Sequence, residues 1–207
     1  CKMNIEVKIT EKSIDYAKSM KILEERVQDV VEGKKDELLW VLEHNPVYTA
    51  GTSSKSSDLL DKNIKVIKSN RGGKYTFHGL GQKVVYFVLN LNKREKDIRK
   101  LINKVENCIV EILSEYNIEA HPDKKNIGIW VGKKNKEMKI ASIGIRVKKW
   151  VAYHGFSLNV NNDLAKFDAI IPCGIKNKKL TNFKHLGIYN YKNIDNIIIK
   201  KFLNTFL

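Results

Sequence analysis

Residues 126–160 read NIGIWVGKKNKEMKIASIGIRVKKWVAYHGFSLNV, and this stretch decides the fold class. Short apolar runs on either side of the polar GKKNK predict a hairpin over 126–147, and WVAYHGFSLNV (150–160) predicts the next strand. In a strand alternate residues face one way, so Lys139 is expected to share its side with Ala141, Ile143, Ile145 and Val147. By the same count His154 alternates with Ala152, Phe156, Leu158 and Val160 and faces inward, where a hydrogen-bonded core histidine is a commoner explanation than a catalytic base.

Upstream, KSNRGGKYTFHGLGQKVVYFVLNL contains a strand end, a glycine-rich connection and a long buried strand, and ELLWVLEHNPVYTAG contains a strand stopping near Asn45-Pro46. After a short opening strand, residues 13–32 place Ile14, Ala17, Met20, Leu23, Val27 and Val30 at three- and four-residue steps, an amphipathic helix with Ser13 as its cap. A second helix fits 97–116, with Ile98, Leu101, Val105, Ile109, Ile112 and Leu113 on one side and Cys108 beside them as core packing. The irregular NNDLAKFDAIIPCGI follows the last strand, and NIDNIIIKKFLNTFL closes the chain as a helix. At 207 residues, with no repeat or linker, the expectation is one domain over 1–207.

With 38 basic and 23 acidic residues the net charge is +15. Such a balance admits nucleic acid, an anionic membrane or an acidic protein as partner. The lysines are scattered among Asn and Ile and form no Arg-rich stripe with interleaved aromatics, so a nucleic-acid-binding domain rests on charge alone. No apolar run approaches the roughly 20 residues that span a bilayer, which removes a membrane-spanning role. Cys1, Cys108 and Cys173 lack CxxC spacing, which argues against a disulfide framework or a structural zinc site and for a reducing compartment. The opening CKMNIEVKIT lacks a signal-peptide pattern and begins without Met, as a trimmed or processed form would. The location expected is cytoplasmic, or an organelle if a targeting segment has been removed.

Three features carry chemistry. RGGKYTFHGLGQ (71–82) gathers four of the twelve glycines, which marks either an interstrand loop or a place where backbone approaches something closely. Lys139 is set in an apolar strand, and an ammonium turned toward an apolar layer exchanges protons more readily than a solvated one. Cys173, in Ile171-Pro172-Cys173-Gly174-Ile175, sits where Pro fixes the approach and Gly permits a tight exit. It reads as an exposed nucleophile or as a buried inert thiol, and reactivity requires an electropositive neighbour.

RGGKYTFHGLGQ, KIASIGIRVKKWVAYHGFSLNV and IIPCGI occur in the order and spacing of the lipoyl(octanoyl) transferases, which this chain resembles. It departs in HGLGQ, where that family usually has HGPGQ, and in LTNF after PCGI, where it usually has VTSL. The resemblance implies a single α/β (α+β) domain with a mixed sheet flanked by helices, similar to the catalytic domains of biotin protein ligases and lipoate ligases. It implies Cys173 as the acyl-accepting nucleophile, with Lys139 favouring its thiolate and handling protons. It also implies a pocket for the acyl group and carrier arm, lined by Arg71, Gly72, Gly73, Lys74, Tyr75, Thr76, Phe77 and His78, by Ser142, Ile143 and Gly144, and by Gly155, Phe156 and Ser157.

The reaction implied takes octanoate from octanoyl acyl carrier protein to Cys173. The group then passes to the ε-amine of a lysine on a lipoyl domain of a 2-oxoacid dehydrogenase or on the glycine cleavage H protein. Exchange of one thioester for another followed by amide formation calls for no ATP, metal or other cofactor. A monomer is expected, without nucleic acid or membrane as partner. The enzymatic alternative is an ATP-dependent lipoate-protein ligase, which would use Lys139 to hold the carboxylate and adenylate and would have no need of Cys173.

Overall fold

β2 (Glu37–Leu42) and β6 (Gln82–Asn90) are almost wholly buried because both of their faces are covered, which is why they read as continuous apolar runs rather than alternating ones. The computed structural model describes residues 3–171 and 179–207. Within them β2 and β6 pair antiparallel at the centre of a mixed sheet. β1 (Ile5–Ile9) extends it parallel to β2. On the other side follow β10 (Val151–Asn159), β9 (Met138–Lys148), β8 (Ile129–Val131) and β7 (Ala120–Pro122), each antiparallel to its neighbour. The two-residue β11 (Lys179–Leu180) pairs parallel with the beginning of β9, completing eight strands.

Among the described residues three α-helices cover this sheet: α1 (Tyr16–Val31), α2 (Ile98–Ser114) and α3 (Ile194–Phe206). Alternation along β6 divides two cores. Val85, Phe87 and Leu89 join Leu101, Val105, Ile109 and Ile112 of α2 and Ile198 and Phe202 of α3, whereas Val84, Tyr86 and Val88 join Leu23, Val27 and Val30 of α1. Each such buried side chain contributes about 1.5–3 kcal/mol of transfer free energy. A buried ion pair closes the end of the larger core, with the Arg94 guanidinium donating to both Glu37 oxygens and to the Phe206 carbonyl.

The helix positions follow the predicted periodicity, with one cap corrected. α1 is capped by Asp15, whose Oδ2 accepts from Lys18 N at 3.1 Å, while the Ser13 hydroxyl is committed to Asn45 Oδ1 at 2.7 Å. A second difference matters more for the site. VYTA and YTFH, which have no strand assignment in the sequence reading, are β3 (Val47–Ala50) and β5 (Tyr75–His78). With β4 (Val66–Lys68) they form a separate three-stranded sheet in the order β4-β3-β5. The glycine-rich motif thus spans a loop and an ordered strand. Cys108 is packed in the larger core as expected, and burial pushes its thiol up to about 12.

Candidate active site

Lys139 is 3 % exposed, but it does not share the face of Ala141. Ala141 pairs with Ile129 and Lys139 with Trp130, so one step along β8 matches two along β9, and Ile140 is the extra residue of a β-bulge. Ile140 and Ala141 both enter the core under α2 and α3. Lys139 is turned to the side of its two cross-strand neighbours, Trp130 on β8 and Leu180 on β11. Its Nζ lies 5.8 Å from the Trp130 ring centroid. An ammonium over the ring face is favoured electrostatically, so the indole offsets part of the solvation that burial removes. The aliphatic stem passes over Gly128, where a Cβ would stand 3.1 Å from Nζ and closer still to Cε.

Beyond the bulge β9 resumes its alternation. Ile143 pairs with Phe156, and both side chains pack with the α2/α3 core. Ser142 and Gly144 therefore face the other way, paired with Ser157 and Gly155 of β10. Ser142, Ser157 and Gly144 make a strip of small residues leading along the sheet from Lys139, whereas a Cβ on Gly155 would run into Val85 O of β6. The 71–74 loop closes over one end of it: a Cβ on Gly144 would lie 3.0 Å from Gly72 O, and one on Gly72 would lie 3.0 Å from Ile145 O. Backbone here touches backbone, which only glycine permits.

Arg71 holds this loop in shape. Its guanidinium donates to the carbonyls of Gly72, Thr49 and Lys74 and to Thr49 Oγ1 at 2.7–3.2 Å. Tyr75 and Phe77 pack into a cluster with Phe167, Ile170 and Leu180, the last of which is the β11 partner of Lys139. Thr76 pairs with Thr49, and His78 pairs with Val47. The motif and the lysine are thus joined through one apolar contact set.

His44, His78 and His154 are buried and held neutral. His78 Nδ1 donates to Gln82 Oε1 at 2.6 Å, and burial together with the neighbouring His44 brings its pKa down to about 3. His44 donates from Nδ1 to Ile14 O and accepts at Nε2 from Tyr86 OH, and burial lowers it to about 4. His154 departs from the expected alternation: a φ of 66° rotates its ring out of the face of Ala152 and Phe156. There Nε2 donates to Asn70 Oδ1 at 2.6 Å and the ring stacks on Tyr153, so it anchors the approach to the glycine loop. Burial, then the charges of Arg71 and Arg146, depress it to about 3.

The structure therefore brings Lys139, Ser142, Gly144, Gly155, Ser157 and the 71–78 segment together on one side of the sheet. Ile143 and Phe156 send their side chains to the opposite face and can offer the site backbone only. Cys173 and its neighbours at 172–178 lie outside the described residues. The flanking chain is placed: Ile171 N donates to Asp58 O at 2.8 Å, and Leu180 is beside Lys139. Trp130, Gly128 and the buried amide of Asn159 are missing from the sequence reading. A glycine two residues before a buried tryptophan, on the strand paired with the lysine, is the signal that could have found the first two.

A model of the lipoyl protein ligase A/B catalytic domain matches residues 15–203. An octanoyltransferase of Ehrlichia chaffeensis is 43% identical over 205 residues, covering 98% of this chain and 96% of its own. One from the Wolbachia of Brugia malayi is 40% identical over 205 residues, covering 98% and 100%. Among solved structures, a bipartite lipoate protein ligase of Thermoplasma acidophilum superposes with a TM-score of 0.74 at 15% identity, covering 99% of this chain and 84% of that one. A lipoate-protein ligase A bound with ATP gives 0.72 at 16% identity, covering 97% and 85%.

Proposed function

The chain belongs to the lipoyl protein ligase A/B catalytic domain family, and on that footing we propose that it is an octanoyltransferase of protein lipoylation that works through a Cys173 thioester. The observation that carries this reading is the placement of Lys139. It is buried against Trp130, at the head of a strip of small residues, and beside the strand by which the chain returns from 172–178. Cys173 is six residues from Lys179, and a span of up to roughly 20 Å at full extension allows the thiol to meet the ammonium.

In this reading the octanoyl group leaves octanoyl acyl carrier protein as the Cys173 thiolate attacks the thioester carbonyl carbon, and the carrier thiolate departs with a proton from the Lys139 ammonium, which leaves Lys139 neutral to act as base in the second step. The acceptor is a lysine ε-amine on a lipoyl domain, including those of 2-oxoacid dehydrogenases and the glycine cleavage H protein. That amine then attacks the Cys173 thioester, Lys139 takes the proton it releases, and the cysteine thiolate leaves. Backbone N–H groups at the Cys173–Gly174 turn would stabilise the oxyanion. Ser142 and Ser157 would bed the acyl chain, and the 71–74 loop, packed on Gly144, would bound its far end. One thioester energises both steps, so the reaction draws on no ATP or metal. The 207 residues act as one catalytic unit, as a monomer in the cytoplasm. The ATP-dependent ligase reading is disfavoured, because the relatives near 40% identity are octanoyltransferases, whereas the ligases share the fold at about 16%.

The test is intact mass after mixing with octanoyl acyl carrier protein in the absence of ATP. One octanoyl group should be added, and peptide mapping should place it on Cys173. An adduct on Cys108, or one that survives Cys173→Ala, would overturn the assignment. Lys139→Ala should raise the pH at which Cys173 is alkylated, and the exposed Lys134→Ala should leave it in place. Lys139→Arg should fail to restore transfer, since a guanidinium stays protonated near neutrality.

A further inference from the structure

β10 ends where β11 begins to pair. Leu158 is the last β10 residue opposite β9, at Ala141, and the positions beyond Ile140, at Lys139 and Met138, are taken by Leu180 and Lys179. Asn159 stands at this exchange of partners. Its side chain, 5 % exposed, donates from Nδ2 to Thr181 O at 3.2 Å, while Thr181 N donates to Lys139 O at 2.9 Å. Residue 181 is therefore held on both sides, by the strand of Lys139 and by the amide of Asn159.

The other end of that amide is equally committed. Asn159 Oδ1 accepts from Gln82 Nε2 at 3.0 Å and from Asn162 Nδ2 at 3.1 Å, and Gln82 in turn bonds Phe77 O and the His78 ring. Asn162 O accepts from Asn182 Nδ2 at 2.9 Å. A two-residue ladder such as β11 supplies too few backbone bonds to fix its own register, and the Asn159 amide, bonded through both its oxygen and its nitrogen, adds the tie that does so, although Asn162 Oδ1 and Thr181 Oγ1 have no partner among the described residues.

We propose that Asn159 is a positioning residue for the transfer reaction: its side-chain amide locks the end of the segment carrying Cys173 to the strand carrying Lys139. The inference rests on the Cys173 thioester reading and adds to it the group that fixes where the chain after Cys173 rejoins β9 beside Lys139. The network also links both to the glycine-rich motif through Gln82 and His78. The Asn159 side chain is committed to Gln82, Thr181 and Asn162, so its removal should loosen the pair and leave the binding surfaces in place.

The experiment compares the wild type with Asn159→Ser, whose hydroxyl is too short to bridge Gln82 and Thr181, and with Val160→Ala, a neighbouring core truncation outside the network. Melting temperatures identify conditions where all three are folded. Asn159→Ser should lower kcat for transfer by roughly ten- to a hundredfold with little change in KM for octanoyl carrier protein. It should also move alkylation of Cys173 to higher pH, which a merely structural role would not do. If it behaves as Val160→Ala does in both respects, the proposal is wrong. Should Asn159→Ser fail to fold, Asn162→Ala, which removes one donor to Asn159, must shift the same two quantities in the same direction by less, and an unshifted profile there overturns it. A wild type that forms no Cys173 adduct refutes the thioester reading and this proposal with it. An adduct in the wild type with an unmoved Asn159→Ser profile refutes the proposal alone.

Discussion

Gly128 lies directly beneath the side chain of Lys139: with φ at 141°, a Cβ there would stand 2.9 Å from Ala141 O, 3.1 Å from Lys139 Nζ and closer to Cε. The glycine is thus the floor of the slot in which the lysine is stretched toward Trp130. Gly128→Ala should displace the ammonium while leaving the sheet pairing intact. Expected are a loss in transfer rate on the order of ten- to a hundredfold and a destabilisation of about 1–3 kcal/mol from the strained backbone. Steady-state kinetics together with a thermal melt check both. An unchanged kcat would mean that the slot does not position Lys139.

This arrangement shows what the sequence can and cannot disclose. The apolar runs and helical periodicities placed α1, α2, α3 and the long strands, because burial of one face or both leaves a local signature. That Lys139 is buried was also legible, from its apolar neighbours. Its direction was not, because the face is set by the bulge at Ile140, a mismatch between two strands that neither strand encodes alone. His154 escaped for a similar reason: one positive φ turns its ring from the face that alternation assigns. The end of β4 was legible, but β3 and β5 were hidden because each is only four residues long and draws its stability from pairing. Cys173 was singled out by its Pro and Gly neighbours, and its chemistry rests on that pattern and the family likeness.

The three buried histidines make a prediction about acid stability. His44, His78 and His154 have folded-state pKa values of about 4, 3 and 3, all below the ordinary 6.5, because burial disfavours the imidazolium. In the unfolded chain each takes up a proton as the pH falls through about 6.5, whereas in the folded chain it does not until far lower. The unfolded state therefore binds more protons in this window, and stability must fall with falling pH. The loss approaches about 1.4 kcal/mol per pH unit for each histidine between roughly pH 6 and 4. Urea denaturation across that range should show the slope, and His44→Gln should reduce it by about one histidine's share. A stability flat between pH 7 and 4 would contradict the buried neutral assignments.

The hairpin joining β9 and β10 carries a strain that can be relieved. Lys149 and Trp150 have φ of 50° and 65°, the left-handed pair of a type I′ turn, a conformation that suits Asn-Gly. Each non-glycine residue there costs about 1–2 kcal/mol, and the exposed contact of Lys96 with the Trp150 ring, at 5.8 Å, returns about 0.5–1 kcal/mol. The double replacement Lys149→Asn and Trp150→Gly should raise stability by about 1 kcal/mol, or ~2–4 °C in Tm for a chain of this size. It should leave octanoyl transfer unchanged, since the turn is at the opposite end of β9 from Lys139. A lower Tm would show that the ring contact outweighs the backbone strain.

The net charge of +15 has a kinetic consequence if the carrier protein and the lipoyl domain present acidic surfaces. Long-range attraction raises the rate of encounter more than it strengthens the final contact. Raising ionic strength shortens the Debye length from roughly 10 Å at 0.1 M to about 3 Å at 1 M. Transfer from intact octanoyl carrier protein to an intact lipoyl domain should slow accordingly, with the change appearing in kcat/KM at subsaturating substrate. Transfer from a small neutral octanoyl thioester to a lysyl peptide should change much less, because neither offers an acidic surface to a positive field. Salt acting equally on both substrate pairs would mean that the charge does not steer docking, and the excess of lysine would then be a property of composition alone.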